Sequence, residues 1–267
     1  MASAIARAGL LTGKVSVITG ASSGLRQAMA LQFSKQGATV VCADQTLGPN
    51  GDKNQLTHEI IRDRGGKAVF ISTNVADESD MLKLIRDSGN QFGRIDIMVN
   101  NACIAPEASE PRPIWDTSLQ TFERTWRVNM RGVFLGCEYA GTQMMRQERS
   151  HGDGRDGTII NIGSILGVLG KPDTPAYSAT KGAVIAFTRA VAMDYAPHGI
   201  HCNSILPGSM SENVEIEREM TQRHPLKRFG EPQDIANAAV FLASSMSDGI
   251  TGLNLSVDGG LHSQLSL

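Results

Sequence analysis

Residues 14–30 read KVSVITGASSGLRQAMA, and this stretch decides the fold. A short β-branched run leads into a glycine-rich turn, containing Gly20 and Gly24, and a helical pattern follows. This order predicts a strand, a phosphate-binding loop and a helix N-terminus, because glycines let the backbone approach a pyrophosphate and the first helical N–H groups bind its charge. The next apolar run ends at Asp44, where a carboxylate would bond a ribose 2′-hydroxyl.

Apolar strand-like segments alternate with helical patterns along the rest of the chain. The predicted strands cover 15–19, 39–43, 68–71, 95–100, 158–162, 201–206 and 253–257. The predicted helices cover 24–36, 54–64, 78–92, 119–146, 176–195 and 232–243. This order predicts an α/β fold, a single-domain Rossmann-like doubly wound parallel sheet of about seven strands with helices on both faces. The ligand crevice is then expected at the carboxyl ends of the strands.

The sequence suggests a simple domain organisation. Residues 1–12 are predicted to form a flexible N-terminal tail, and 13–267 a single domain. Residues 209–225 interrupt the alternation and are rich in Glu, Arg and Met. Their position favours a flap over the crevice, and an irregular surface insertion is the alternative.

Bulk properties narrow the class of protein. The chain has 267 residues and a net charge of −2, without a basic stripe, which argues against nucleic acid as a partner. No apolar run approaches the ~20 residues that would span a bilayer. The four cysteines, at 42, 103, 137 and 202, lack metal-ligand spacing, so no metal is expected. We therefore expect a cytoplasmic protein in a reducing compartment.

Tyr177 and Lys181 are spaced so that both stand on one face of a helix, one turn apart. An ammonium beside a phenol favours the phenolate and lowers the pKa of the tyrosine from its usual ~10. Such a phenol can exchange a proton with an alcohol or a carbonyl. The spacing alone also occurs by chance on exposed helices, so its weight comes from the segments around it.

Together these residues resemble the short-chain dehydrogenase/reductase family along nearly the whole chain. Residues 19–24 (TGASSG) are similar to its cofactor loop, and 100–102 (NNA) to the segment after its fourth strand. Residues 226–232 (LKRFGEP) and 251–260 (TGLNLSVDGG) are similar to its C-terminal signatures. The resemblance implies an oxidoreductase that uses a nicotinamide cofactor.

The resemblance also implies roles for individual residues. The implied catalytic residues are Asn129, Ser164, Tyr177 and Lys181, with Tyr177 as general acid/base and Asn129 holding a water in a locally bent helix. The implied cofactor-binding residues are Gly20, Ser22, Ser23, Gly24, Leu25, Asp44, Asn74, Val75, Asn101, Ala102, Tyr177, Lys181, Pro207, Gly208 and Ser209. The implied substrate-contacting residues are Cys103, Ser164, Ile165, Leu166, Tyr177 and Met210. Relatives usually form tetramers through the two long helices, so a homo-oligomer, a tetramer by resemblance, is expected.

The choice of cofactor and reaction follows from these positions. Asp44 repels a 2′-phosphate, and Ser23 and Gln45 are neutral where users of NADP carry a basic residue, so NAD(H) is predicted over NADP(H). The expected reaction interconverts a secondary alcohol and a ketone on a medium-sized, mostly apolar small-molecule substrate. The alternative is a descendant of the family with lost or altered redox activity, such as an isomerase, a cyclase or a cofactor sensor.

The chain departs from the family pattern at four places. Arg26 replaces the last loop glycine, where a guanidinium would point outward, lie along the phosphate as an extra cation or block the site. Cys103 replaces a glycine after the NNA segment, as a wall of the substrate pocket or a merely tolerated small residue. Asn74 replaces an aspartate near the adenine. Glu212 stands where a threonine normally bonds the carboxamide, so either Ser211 takes over this contact or it is lost.

Overall fold

The computed structural model describes residues 9–22, 24–48, 56–148, 155–208, 221–222 and 224–264, without the side chain of Arg26. Most of the predicted tail and most of the predicted flap lie outside these residues. So do Ser23 of the glycine-rich loop and the flap residues Ser209, Met210, Ser211 and Glu212. Within the described part, no helix is long and apolar enough to cross a membrane.

Seven strands of the described chain form one parallel sheet in the order β3-β2-β1-β4-β5-β6-β7. Their bounds are β1 Val15–Thr19, β2 Thr39–Asp44, β3 Lys67–Ser72, β4 Ile97–Asn100, β5 Gly157–Ile162, β6 Ile200–Pro207 and β7 Asn254–Val257. The order reverses beside β1, whose neighbours are β2 and β4. Loops on either side of this switch point separate and leave a crevice at the carboxyl ends of the strands. The predicted doubly wound α/β fold is confirmed.

Helices cover both faces of the sheet. Their bounds are α1 Gly24–Lys35, α2 Thr57–Asp63, α3 Glu78–Phe92, α4 Leu119–Trp126, α5 Gly132–Arg146, α6 Pro175–Tyr195 and α7 Pro232–Ala243. Successive side chains of a strand point to opposite faces. Accordingly, Ile18 of β1 packs into the cluster with Met29 and Phe33 of α1, whereas Val17 packs into the cluster with Met81 of α3. A fully buried side chain of this size contributes ~1.5–3 kcal/mol.

Of the element boundaries that differ from the sequence prediction, two have a visible cause. The strand expected from residue 95 begins at Ile97, because the N–H of Ile95 donates to the side chain of Gln147 at 2.6 Å. The helix expected over 119–146 is divided, because a π-helical turn, Arg127–Arg131, separates α4 from α5.

Candidate active site

The loop between β1 and α1 has the form expected of a phosphate-binding loop. Gly20 has φ +68° and its N–H donates to the carbonyl of Ala43 at 2.6 Å, which holds the loop against the end of β2. Gly24, the first residue of α1, has φ +51°. A Cβ at Gly24 would meet nothing within 4 Å, so the backbone conformation, rather than lack of space, favours glycine there. Leu25 follows and packs against the core on this face.

Asp44 ends β2 with its carboxylate turned toward this loop. One oxygen accepts from the N–H of Ser22 at 3.1 Å, and the other accepts from its neighbour Gln45 at 2.8 Å. The hydroxyl of Ser22 donates to the carbonyl of Thr46 at 2.8 Å. The acid is therefore held against the glycine-rich loop.

Asn74 and Val75 lie at the same edge, after β3. The side-chain oxygen of Asn74 accepts from Gln45 Nε2 at 3.0 Å and from the N–H of Ala76 at 3.1 Å. Val75 is buried and would be 2.9 Å from a Cβ at Gly132, so the start of α5 fits closely against it. An asparagine thus accepts hydrogen bonds here without the charge of the aspartate it replaces.

Thr19 joins the ends of β1 and β4. Its Oγ1 accepts from the N–H groups of Asn101, at 3.0 Å, and Ala102, at 3.1 Å. The Asn101 side chain donates back to the carbonyl of Thr19 at 2.8 Å. These bonds place Asn101, Ala102 and the partly exposed Cys103 across the switch point from the glycine-rich loop.

The buried Asn129 lies in the π turn and binds two neighbouring elements. Its Oδ1 accepts from the N–H of Ile104 at 2.8 Å, and its Nδ2 donates to the Ile104 carbonyl at 2.8 Å. The same nitrogen donates to Thr180 Oγ1 of α6 at 3.3 Å. A local bend of the helix was expected here, and the structure has a π-helical turn at this place. It attaches the segment after β4 to the helix that carries Tyr177.

Ser164 follows β5 and starts a short 3₁₀ turn, Ile165–Gly167. Its Oγ accepts from the N–H of Leu166 at 3.1 Å. A Cβ at Gly167 would lie 2.8 Å from the carbonyl oxygen of Lys181, so the absence of a side chain lets this turn rest on α6. Ile165 was expected to contact substrate, but its side chain packs in the core with Ile185 and Leu206. Leu166 is partly exposed, so it is the better candidate of the two.

Lys181 is almost fully buried, at 2% exposure, and lies beside Tyr177. Its ammonium donates to the carbonyl of Ile162, the last residue of β5, at 2.7 Å, and lies 5.5 Å from the centre of the Tyr177 ring. Tyr177 is half-buried. The cation is thus fixed by the sheet and held next to the phenol.

Among the described residues, no buried ammonium lies over the ring of either of the other two tyrosines. Desolvation and a hydrogen bond to Glu78 raise the pKa of Tyr139 to about 12. Burial raises the pKa of Tyr195. Of the chain's three tyrosines, Tyr177 is the one with a buried ammonium over its ring.

Pro207 and Gly208 complete the edge at the end of β6. The N–H of Gly208 donates to the carbonyl of Val257 at 3.2 Å. A Cβ at Gly208 would come within 2.9 Å of Asp258, which explains a glycine at this close approach of two strand ends. The following residues, Ser209 and Met210, lie outside the described part of the chain.

Glu107 is a residue of this region that sequence reasoning missed. It lies in the segment after β4, is buried, and bonds the first turn of α6. The indirect signal was the start of α6, which has no acidic residue in its first turn and no side-chain cap from Thr174.

Comparison with known proteins identifies the family. The family model described as enoyl-(acyl carrier protein) reductase, within the short-chain oxidoreductases, matches residues 20–262. The chain belongs to the short-chain dehydrogenase/reductase family.

Other members of this family resemble the chain over most of its length. Glucose 1-dehydrogenase 2 of Bacillus subtilis is 34% identical over 94% of this chain and 95% of its own. The 3-oxoacyl-[acyl-carrier-protein] reductase FabG of Staphylococcus epidermidis is 34% identical over 93% of this chain and 99% of its own. A crystal structure of a short-chain dehydrogenase/reductase from Burkholderia xenovorans has a TM-score of 0.86 and 30% identity, covering 97% of this chain and all of the other.

Proposed function

We propose that this short-chain dehydrogenase/reductase is an NAD(H)-dependent oxidoreductase that interconverts a secondary alcohol and a ketone. One observation carries the proposal: the buried ammonium of Lys181, anchored on Ile162, lies 5.5 Å from the centre of the Tyr177 ring. Burying a lysine without a role for its charge is costly. A phenol that shares this environment is suited to proton transfer at neutral pH.

The residues at the switch point fit a dinucleotide. Gly20 and Gly24 leave the backbone of the loop open to a pyrophosphate, Asp44 faces the place of a ribose, and Asn101 lies across the crevice. When bound there, a nicotinamide cofactor would supply or accept the hydride. Asp44 and the neutral Gln45 favour NAD(H) over NADP(H), because a carboxylate accepts from a diol and repels a phosphate.

The chain's own groups handle the proton and the substrate oxygen. In the reductive direction, Tyr177 gives its proton to the substrate oxygen, and Lys181 stabilises the phenolate that remains. Ser164 uses an oxygen lone pair to accept from the N–H of Leu166, so its own proton is available to the same substrate oxygen. Donors placed where negative charge develops lower the barrier. Asn129 is the candidate for holding a water that returns a proton through Lys181.

The substrate is proposed as a medium-sized, mostly apolar alcohol or ketone. Leu166, Val168 and Leu169 follow Ser164 and are partly or largely exposed, and the partly exposed Cys103 follows β4 at the same edge of the sheet. The names of two relatives describe a sugar dehydrogenase and a reductase of oxoacyl groups. These names support alcohol–carbonyl chemistry as the reaction class. The four cysteines are all unpaired, which favours a cytoplasmic location.

The test is Tyr177→Phe, assayed by the absorbance of NADH with a broad panel of ketones and alcohols. Because the acid/base group is lost and the ring is kept, turnover should fall by ~10²–10⁴-fold while NADH binding changes little. Tyr139→Phe is the matched control, since this phenol bonds Glu78 and has no buried ammonium of the described chain over its ring, so its loss should leave turnover intact.

Two outcomes would count against the proposal. Full activity in Tyr177→Phe would remove the assigned acid/base. Tight NADH binding by the wild-type protein with no turnover of any panel member would favour the non-redox alternative.

A further inference from the structure

Glu107 reaches the first turn of α6 from a distant part of the chain. It lies in a short 3₁₀ turn, Pro106–Ala108, after β4 and is 2% exposed. One carboxylate oxygen accepts from the N–H of Ala176 at 3.0 Å, and the other accepts from the N–H of Tyr177 at 2.8 Å. Each oxygen of one buried carboxylate therefore holds one main-chain amide, the second being that of Tyr177.

This contact replaces the cap that a helix usually takes from its own sequence. The first N–H groups of a helix lack internal partners, and a Ser, Thr, Asp or Asn just before the helix normally accepts from them. Here Thr174 occupies that position, but its hydroxyl donates to Lys171 and makes no cap bond. Pro175 has no N–H to satisfy. Among the first three helical residues, the two that have an N–H, Ala176 and Tyr177, are the two that Glu107 binds.

The contact also belongs to a larger attachment of the same segment. Asn129 holds Ile104 by both main-chain groups and donates to Thr180 of α6. Glu107, three residues after Ile104, binds α6 three residues before Thr180. The segment after β4 is thus connected to α6 at two successive turns. Glu107 bonds the main chain of Tyr177 directly, and Ile104 is linked through Asn129 to Thr180 in the next turn.

We propose that Glu107 is a positioning residue for Tyr177, which fixes the main chain of the first helical turn so that the phenol stays over the ammonium of Lys181. This rests on the proposed function of Tyr177. Helix ends fray when their terminal groups lose partners. Tyr177 is the third residue of α6 and Lys181 the seventh, so a loosened first turn would carry the phenol away while the cation remains bound to Ile162. A merely structural cap would contribute stability without any effect on the phenol.

The experiment compares Glu107→Gln with Glu110→Gln. Glutamine keeps the size of the side chain, but its NH₂ group faces one of the two amides, so one hydrogen bond is lost. Glu110 lies in the same segment and is exposed, which makes it the matched control. Glu107→Asp, which keeps the charge and shortens the side chain, is the second variant if the glutamine form is unstable.

The measurement is the ultraviolet absorbance of tyrosinate against pH, over the range where circular dichroism shows an intact fold. Subtracting the curve of Tyr177→Phe isolates the ionisation of Tyr177 from that of Tyr139 and Tyr195. Two charged groups are in contact with Tyr177: the ammonium of Lys181, in α6, lies over its ring, and the carboxylate of Glu107, in the segment after β4, bonds its main-chain N–H. The wild-type midpoint should lie below the usual ~10.

The proposal expects the midpoint to rise toward ~10 in Glu107→Gln and in Glu107→Asp, and to stay at the wild-type value in Glu110→Gln. An unchanged midpoint with lower thermal stability would show a structural cap only and would overturn the proposal. A lower midpoint would also overturn it, because removing a nearby negative charge without moving the ring favours the phenolate. The titration needs no substrate, so a wild-type protein without turnover would refute the proposed function and leave this result readable.

Discussion

At the scale of single residues, Asp44 is the basis of the proposed preference for NAD(H). Its two oxygens accept from Ser22 and Gln45, so the carboxylate cannot swing away from the glycine-rich loop. A fixed acid is a strong acceptor for a ribose diol, since hydrogen bonds to charged groups contribute ~1.5–3 kcal/mol. The same charge repels a phosphate on that ribose.

Asp44→Asn should therefore weaken NADH binding by about tenfold or more. It should also reduce the ratio of the affinity for NADH to the affinity for NADPH. Fluorescence titration of the bound nicotinamide measures both affinities. Asp63→Asn, the same change at an exposed acid of α2, should leave them unaltered. Comparable affinities of the wild-type protein for NADH and NADPH would refute the selection by Asp44.

The sequence predicted contacts between residues that are close together along the chain, and it missed contacts between residues that are far apart. Tyr177 and Lys181 are one helical turn apart in sequence, so the pattern alone predicted their contact. Glu107 reaches Tyr177 across 70 positions, and no local pattern of a single sequence marks such a bond. The same limit applies to Ile165, because its place in the core depends on packing against Ile185 and Leu206 from other elements.

At the scale of elements, close backbone contacts rather than long side chains bring Ser164 to α6. The turn Ile165–Gly167 rests on the helix through Gly167, whose missing side chain leaves room for the main chain of Lys181. A Cβ at Gly182 would lie 3.3 Å from the carbonyl of Gly167, so the two glycines face each other. Hydrophobic periodicity predicted α6 but carries no information about such an approach. For the same reason it predicted one helix where the π turn divides two.

Gly167→Ala should disturb this contact, because the new Cβ would lie 2.7 Å from the carbonyl carbon of Lys181. Backbone contacts cannot yield as a flexible side chain does, so we expect a loss of ~1–3 kcal/mol in the free energy of unfolding. Turnover should also fall, since the turn carries Ser164. Chemical denaturation and initial rates measure the two effects.

Gly170→Ala is the matched control for that variant. A Cβ at Gly170 meets nothing within 4 Å, and the residue lies three positions further along the same segment. It should keep wild-type stability and turnover. Equal behaviour of the two variants would show that the turn does not need its close contact with α6.

At the scale of the whole molecule, the doubly wound parallel sheet was predictable because each parallel crossover follows from a strand, a helix and a right-handed connection. The sequence pattern did not show which surface of the helices this fold leaves exposed. An apolar groove of about 690 Å³ runs along α4, the π turn and α5. Its lining includes Phe122 and Trp126, whose rings stack with centroids 5.9 Å apart, and Phe134, which is 46% exposed. Such aromatic surface is typical of protein interfaces.

We propose that this groove meets a second copy of the chain, as part of a homotetramer. Glu123 and Arg127 lie beside the aromatic side chains with opposite charges. A two-fold axis that passes between Glu123 and Arg127 would set each of these two charges near its opposite on the partner, which is how a surface becomes self-complementary. The wild-type protein should then sediment as a tetramer, and the double variant Trp126→Glu with Phe134→Glu as a smaller species, because like charges would face each other across the axis.

Leu82→Glu, on the outer face of α3 at 47% exposure, places the same charge on another exposed apolar residue and should remain tetrameric. A monomeric wild-type protein, or a tetrameric double variant, would exclude this face as the interface.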